Sequence, residues 1–311
     1  MSNVAVLAGG LSLEREVSLM SGRRVADALT GLGHQVSALD LDDGLVPRLV
    51  SESFDAAFLA LHGKSGEDGT IQGLLELLRI PYTGPDPTAS ALAWDKVTAK
   101  GLMSREGIVT PPWIAMSVDA IRDMGAARAM DQVVGRLGLP LVVKPAQGGA
   151  SLGVRIVHDA EELSPALVAS LSYHSVVAIE RYVEGTEVAV SIVGGEALPL
   201  VEIVPKRGAY DYSARYTHGA TDFYAPARLD DEVSRRCQEA ALRAYRHLGC
   251  RHVTRADLIV DDQGQPWFLE LDTSPGMTDT SLLPMAAQAA GLSFEELCER
   301  LLGLALAGDG T

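Results

Sequence analysis

Residues 255–278, RADLIVDDQGQPWFLELDTSPGMT, constrain the fold of this chain more than any other stretch. Gln263-Gly264 supplies a two-residue turn with glycine in second place, between two runs rich in leucine, β-branched and aromatic residues. Folding about that turn opposes Arg255 to Asp272, Asp257 to Glu270 and Ile259 to Phe268, all six on one face. The alternate positions, Ala256, Leu258, Val260, Trp267, Leu269 and Leu271, are apolar, so the other face covers a core. Three carboxylates and one arginine share the first face. Like charges directly opposed destabilise an antiparallel pair, so Asp257 against Glu270, with Asp272 beside them, requires positive charge. Mg2+ fits that requirement, because it takes carboxylate and phosphate oxygens, and Arg255 can hold an anion in its planar fork. Asp257, Glu270 and Asp272 are therefore the expected metal ligands. The plain alternative is a hairpin face turned to water, which the strict alternation behind it argues against. No twelve-residue EF-hand loop is present, so calcium is not expected.

A length of 311 residues with 47% hydrophobic content allows two or three domains and a sizeable core. A net charge of -15 argues against nucleic acid or an anionic membrane as the main partner. The three cysteines, Cys237, Cys250 and Cys298, are too few and too far apart for a disulfide framework, which fits a reducing cytoplasm. No targeting segment and no apolar run near the roughly 18 residues of a membrane span is visible.

The first third reads as strand 3–8, helix 14–32, strand 35–40 and strand 54–61, an α/β unit over residues 1–90. Its loops at 9–14 and 62–70 both follow strands and are expected to share one cleft, as ligand loops do in open α/β sheets. Gly9-Gly10 alone falls short of a dinucleotide fingerprint. Central (91–183) and C-terminal (184–311) units follow. Lys144 ends a strand, LPLVVK, and precedes PAQGGASLG, a glycine-rich turn whose bare amides can wrap phosphate oxygens. The lysine precedes the glycines, unlike a Walker A loop. An ordinary β-turn is the alternative. Glu14 opens a helix, where an acid is electrostatically favoured whatever else it does. Residues 209–226 carry five tyrosine or phenylalanine rings among polar residues and read as an active-site lid.

With LAGGLSLEREVSL from residue 7, LHGKSGEDGT at 61–70, KPAQGGASLG at 144–153, YDYSARY at 210–216 and RAD through PGMT at 255–278, the chain resembles the D-alanine–D-alanine ligases of the ATP-grasp superfamily. The resemblance spans nearly the whole chain. It implies an α/β and α+β architecture, with a Rossmann-like N-terminal domain followed by a two-part ATP-grasp fold. ATP with two Mg2+ ions, for which Mn2+ can substitute, and D-alanine as substrate come with it, as does a homodimer. Lys96 and Lys144 would bind phosphate under the lid formed by the glycine-rich loop with Ser151. The backbone near Val183 would read adenine with Glu180 beside it, and Glu187 would bind ribose. Phe268, on the metal-side face opposite Ile259, is the residue expected to touch the base. Glu14 would hold the ammonium of the first D-alanine and His62 its carboxylate. Ser281 and Leu282 would hold the second. Arg255 and the Gly276 amide would stabilise the oxyanion, Arg215 would bind the nucleotide, and Tyr216 would belong to the lid, the tyrosine favouring an amine acceptor.

Three positions depart from the family pattern. Ala150 stands where serine is usual, with Ser151 next; Asp272 replaces asparagine, and Arg215 replaces lysine. The lost hydroxyl at 150 removes the usual link between Glu14 and Tyr216, and Ser151 is the residue that can substitute. The chemistry implied is attack of one D-alanine carboxylate on the γ-phosphate, then displacement of phosphate from the acyl phosphate by the amine of a second D-alanine, supplying peptidoglycan synthesis. A paralogue joining other small amino acids and a non-catalytic nucleotide sensor are the rival readings.

Overall fold

The computed structural model describes residues 1–308 except His218; the side chains of Ala127, Ser213 and Tyr216 lie outside the described residues. The chain opens with β1 (Asn3–Ala8), α1 (Arg15–Gly31), β2 (Gln35–Asp40), α2 (Leu45–Ser51), β3 (Ala56–Leu59), α3 (Thr70–Leu78), α4 (Pro87–Trp94) and α5 (Lys96–Arg105). These strands form a parallel sheet in the order β2-β1-β3. Helix α1 buries Ser18, Ser21, Gly22, Val25, Ala28 and Leu29, one face at helical spacing. That face is seated so closely that a Cβ on Gly22 would collide with the Cβ of Ala8. Asp86 and Asp95 cap α4 and α5, accepting from the N–H groups of Ala89 and Thr98. The second cap fixes where α5 begins, and so where Lys96 points.

The middle of the chain comprises β4 (Trp113–Ser117), α6 (Val118–Met124), α7 (Ala126–Leu137), β5 (Leu141–Pro145), β6 (Arg155–Val157), α8 (Ala160–Leu171) and β7 (Val176–Arg181). Its antiparallel sheet runs β4-β7-β5-β6. The remainder is β8 (Thr186–Val193), β9 (Glu196–Ala197), β10 (Val201–Pro205), α9 (Tyr212–Tyr216), β11 (Thr221–Tyr224), α10 (Asp231–His247), β12 (Val253–Val260), β13 (Pro266–Asp272), α11 (Leu282–Ala289) and α12 (Phe294–Ala307). Its sheet runs β11-β10-β8-β12-β13, with β9 on β8. The last two helices return to the start of the chain: Leu282, Leu283, Leu297 and Leu301 share one core with Val4, Val6, Val25 and Leu29, and with Ala189 and Val201 from the β8 sheet.

The β12–β13 pair follows the sequence-derived register only at its open end. Arg255 faces Asp272 and Asp257 faces Glu270, but beyond a bulge Leu258 faces Phe268, Ile259 faces Trp267 and Val260 faces Pro266. Leu269 is the extra residue. The cause lies at the turn, which holds three residues rather than two: the N–H of Asp261 donates to the carbonyl of Gln265, with Gly264 at φ 69°. The Asp261 carboxylate accepts from the N–H groups of Gln263 and Gln265 and from the Trp267 indole, fixing this three-residue loop. The bulge absorbs the one-residue difference. Phe268 is consequently 0% exposed, packed with Ala256 and Leu258 instead of lying beside a nucleotide base. Leu269, expected on the core face, takes the site-side position expected of Phe268.

Phe268→Ala should empty a core position and cost about 3–5 kcal/mol, seen as a lower Tm by calorimetry. Leu269→Ala should leave Tm nearly unchanged while raising KM for a nucleotide substrate.

Candidate functional site

Two cavities meet at the C-terminal ends of β1, β3 and β13. One, of about 870 Å³, is lined by Glu14, His62, Glu67, Arg255, Asp272, Gly276, Ser281 and Leu282. The other, of about 950 Å³, is lined by Lys144, Ser151, Glu180, Val183, Glu187, Asp257, Ile259 and Leu269. Lys96, Gly148, Gly149, Tyr210, Arg215 and Glu270 line both and form the throat between them. The loops at 9–14 and 62–70 therefore share one cleft. Of the residues singled out in the sequence, only Phe268 lies away from these walls, and the Tyr216 side chain lies outside the described residues.

Four of the cleft's strand carboxylates, Glu180, Asp257, Glu270 and Asp272, are each matched by a cation. Arg255 donates from Nε and Nη2 to the two oxygens of Asp257, at 2.7 and 2.9 Å, and its Nη1 lies 2.9 Å from Asp272. Lys96 pairs with Glu270 at 3.0 Å and donates to the carbonyl of Gly148 at 2.6 Å. Lys144 and Lys100 lie 2.9 and 3.1 Å from Glu180. Among the described residues no three acidic, histidine or cysteine side chains converge as they would on a metal ion. Asp257, Glu270 and Asp272 nonetheless offer hard oxygens on adjacent strands, the donor type Mg2+ requires.

Burial sets the protonation of the remaining acids. It raises the Glu14 carboxyl to about 7, helped by the charge of Asp272, and raises Glu187 to about 7. Glu67 is pushed well above its ordinary value by the same desolvation. Burial acts on Glu270 too, but Lys96, Lys144 and Arg215 outweigh it and hold that carboxyl low. The first cavity thus holds carboxyls poised to lose a proton when a cationic ligand arrives. Glu67 accepts from the N–H of Gly63 at 2.6 Å, closing the loop after β3. An acid inside a glycine-rich loop was the only sequence signal for it.

His62 is 5% exposed and engages both ring nitrogens. Its Nδ1 lies 3.0 Å from the Ser274 carbonyl, which can only accept, so Nδ1 carries the proton. Nε2 then accepts from Ser21 Oγ at 2.9 Å, and that hydroxyl accepts from the N–H of Met277 at 3.2 Å. Burial lowers the imidazole's proton affinity, which keeps it neutral. The histidine therefore clips the loop after β3 and helix α1 to residues 274–277, and Arg24 completes the clip by donating to the Met277 carbonyl at 2.9 Å. Nothing in the sequence marked Ser21, since a small residue at helical spacing reads as packing. A Cβ on Gly276 would collide with Ser281 Oγ, which keeps the chain there bare beside the cavity.

The lid is closed over the throat. Gly149 abuts the Glu14 carboxylate with no room for a Cβ. Ala150 and Ser151 follow in the left-handed region, at φ 49° and 55°, a conformation costly for two successive residues with side chains. Ser151 Oγ donates to the Tyr210 carbonyl and accepts from Arg215 Nε, both at 3.1 Å, and the Arg215 guanidinium stacks 4.2 Å over the Tyr210 ring. The hydroxyl absent at Ala150 is thus supplied one residue later, on a different route across the lid.

Comparison with known proteins finds relatives along nearly the whole chain. Family models described as D-ala D-ala ligase N-terminus and C-terminus match residues 46–85 and 102–303. A D-alanine–D-alanine ligase of Anaeromyxobacter sp. (strain K) is 49% identical over 301 residues, 96% of this chain and 95% of that one. The crystal structure of the D-alanine–D-alanine ligase of Bacillus anthracis complexed with ATP superposes with a TM-score of 0.85 at 35% identity, covering 99% of this chain and 98% of that one. The VanG D-Ala:D-Ser ligase of Enterococcus faecalis superposes with a TM-score of 0.85 at 30% identity, covering 98% and 99%. Model matches over most of the chain, and near-half identity along its length, mean that it belongs to the D-alanine–D-alanine ligase family.

Proposed function

We propose that this chain is an ATP-dependent ligase that joins two D-alanine molecules through an acyl phosphate, giving D-alanyl-D-alanine, ADP and phosphate for peptidoglycan synthesis. The observation that carries this reading is the throat: a cavity lined by lysines, apolar side chains and the glycine-rich loop opens into an acid-lined one across Lys96, Arg215 and the Gly148-Gly149 backbone. Adenine would lie against Ile259 and Leu269, reading the backbone near Val183 with Glu180 beside it, and Glu187 would take the ribose. Lys144 and Lys96 would draw the triphosphate toward the throat. Mg2+, when bound, supplies positive charge to the phosphates, and Asp257, Glu270 and Asp272 are the residues that would hold it.

In the first cavity Glu14 would take the ammonium of one D-alanine, turning its carboxylate toward the γ-phosphate. The second D-alanine would set its own carboxylate at the start of α11, where Ser281 and the Leu282 N–H meet the positive end of the helix. Its amine attacks the acyl carbon, and Arg255 with the Gly276 N–H stabilises the oxyanion before phosphate leaves. Preorganised donors of this kind are worth a few kcal/mol each. No helix among the described residues is long and apolar enough to cross a membrane, which fits the cytoplasm where ATP is made. A homodimer goes with the family reading.

The deciding experiment incubates the protein with ATP, Mg2+ and, separately, D-alanine, L-alanine, D-serine or D-lactate. Phosphate release with D-alanyl-D-alanine by mass in the D-alanine tube supports the proposal; turnover confined to another tube replaces the substrate, and silence in all of them leaves the nucleotide sensor. Because Glu14 is neutral below pH about 7 and a neutral carboxyl attracts no ammonium, kcat/KM for the first D-alanine should fall by roughly tenfold per unit as pH drops below that point. Glu14→Gln should flatten this limb. Ser151→Ala breaks two hydrogen bonds across the lid and should raise KM for ATP by roughly two- to tenfold with little change in Tm.

A further inference from the structure

Lys100 is a buried cation that borders neither cavity. Its side chain is 0% exposed, and it follows Lys96 by one turn on the same face of α5. Lys96 reaches the throat, whereas Lys100 ends 3.1 Å from Glu180 Oε1, the same oxygen that Lys144 approaches to 2.9 Å. Trp113, paired with Glu180 across β4 and β7, lies under the ammonium, its ring centroid 5.6 Å away. Glu180 is itself 1% exposed yet lines the nucleotide cavity.

Stability alone does not account for this arrangement. Burial drives the Lys100 ammonium down to about 8, and buried charges are often replaceable by apolar side chains at no loss. Electrostatics does account for it. A lone Lys144–Glu180 pair would be neutral and would present nothing to a triphosphate. With Lys100 added, two cations share one carboxylate, and the excess positive charge falls on Lys144 at the cavity wall. Both cations sit on Oε1, so Oε2 takes part in neither pair.

We propose that Lys100 is a positioning residue for the nucleotide: it holds Glu180 so that Oε2 accepts from the 6-amino group of adenine, and it frees Lys144 to bind phosphate. The inference rests on the placement of Glu180 beside the base under the proposed function. A fixed carboxylate oxygen rewards the amine of ATP and repels the 6-oxo group of GTP, so Lys100 governs base discrimination without touching the base.

The test uses the full chain with saturating D-alanine and Mg2+, comparing Lys100→Met, Lys100→Arg, Glu180→Gln and the Lys100→Met/Glu180→Gln double variant. Tm, kcat and KM for ATP, and the ratio of kcat/KM for ATP over GTP are measured for each. Lys100→Met should raise KM for ATP about tenfold with kcat within about twofold, and lower the ATP:GTP ratio about tenfold. Lys100→Arg should restore most of both. Lys100→Met should change the ratio little once Glu180 is already Gln, because the lysine acts through that carboxylate. If Lys100→Met does not fold, Lys100→Gln is read on the same quantities. A folded Lys100 variant with unchanged KM and ratio, alongside a Glu180→Gln that loses discrimination, overturns the inference and leaves the placement of Glu180 standing. A Glu180→Gln that keeps full discrimination removes that placement, and the inference with it.

Discussion

A guanidinium buried at the open end of one hairpin holds the site together. Arg255 binds a carboxylate on its own strand with two hydrogen bonds and meets a second carboxylate on the strand opposite. Without it, Asp257, Glu270 and Asp272 would repel one another across a single pleat. Buried ion pairs are expensive to desolvate, and their cost is recovered only with good geometry. The two-pronged contact to Asp257 has that geometry. The same logic recurs outward from the hairpin, with Lys96 on Glu270 and two lysines on Glu180, so that a chain of strongly negative net charge presents local positive charge where an anionic substrate is handled.

Short-range pattern carried most of the fold into the sequence. The strand at 3–8 lies where the sequence puts it because a buried parallel strand leaves a dense apolar run, and the strand at 35–40, an edge strand with Leu39 alone buried, was marked by the turn residues on either side of it. The glycine-rich loop was legible because bare backbone near a strand-end lysine has few other uses. The hairpin was legible only halfway, since one aspartate side chain decided between a two- and a three-residue turn. That choice moved Phe268 from the cavity to the core.

The residues that escaped the sequence act through long-range geometry. Ser21 matters because a hydroxyl on α1 meets His62 and a backbone amide 256 residues further on. His62 read as a ligand-facing residue, and its nitrogens turn out to be consumed by that contact and by the Ser274 carbonyl. Ser151 was named as a substitute for a missing hydroxyl; its bonds run to Tyr210 and Arg215.

The clip formed by Ser21, Arg24 and His62 bears on how the enzyme opens. It fastens residues 274–277 to α1, while α11 and α12 bury their leucines against the first sheet. The floor of the amino-acid cavity therefore belongs to one body assembled from both ends of the chain, with the glycine-rich loop, Tyr210 and Arg215 closing it from above. The roof over the nucleotide, by contrast, hangs from β5 and β7, in a sheet with a core of its own. A hinge that swung this roof aside would carry Gly148, Gly149 and Ala150 with it, uncovering the nucleotide and the top of the amino-acid cavity together while the floor of the latter stayed in place. Nucleotide exchange and dipeptide release would thereby share one opening.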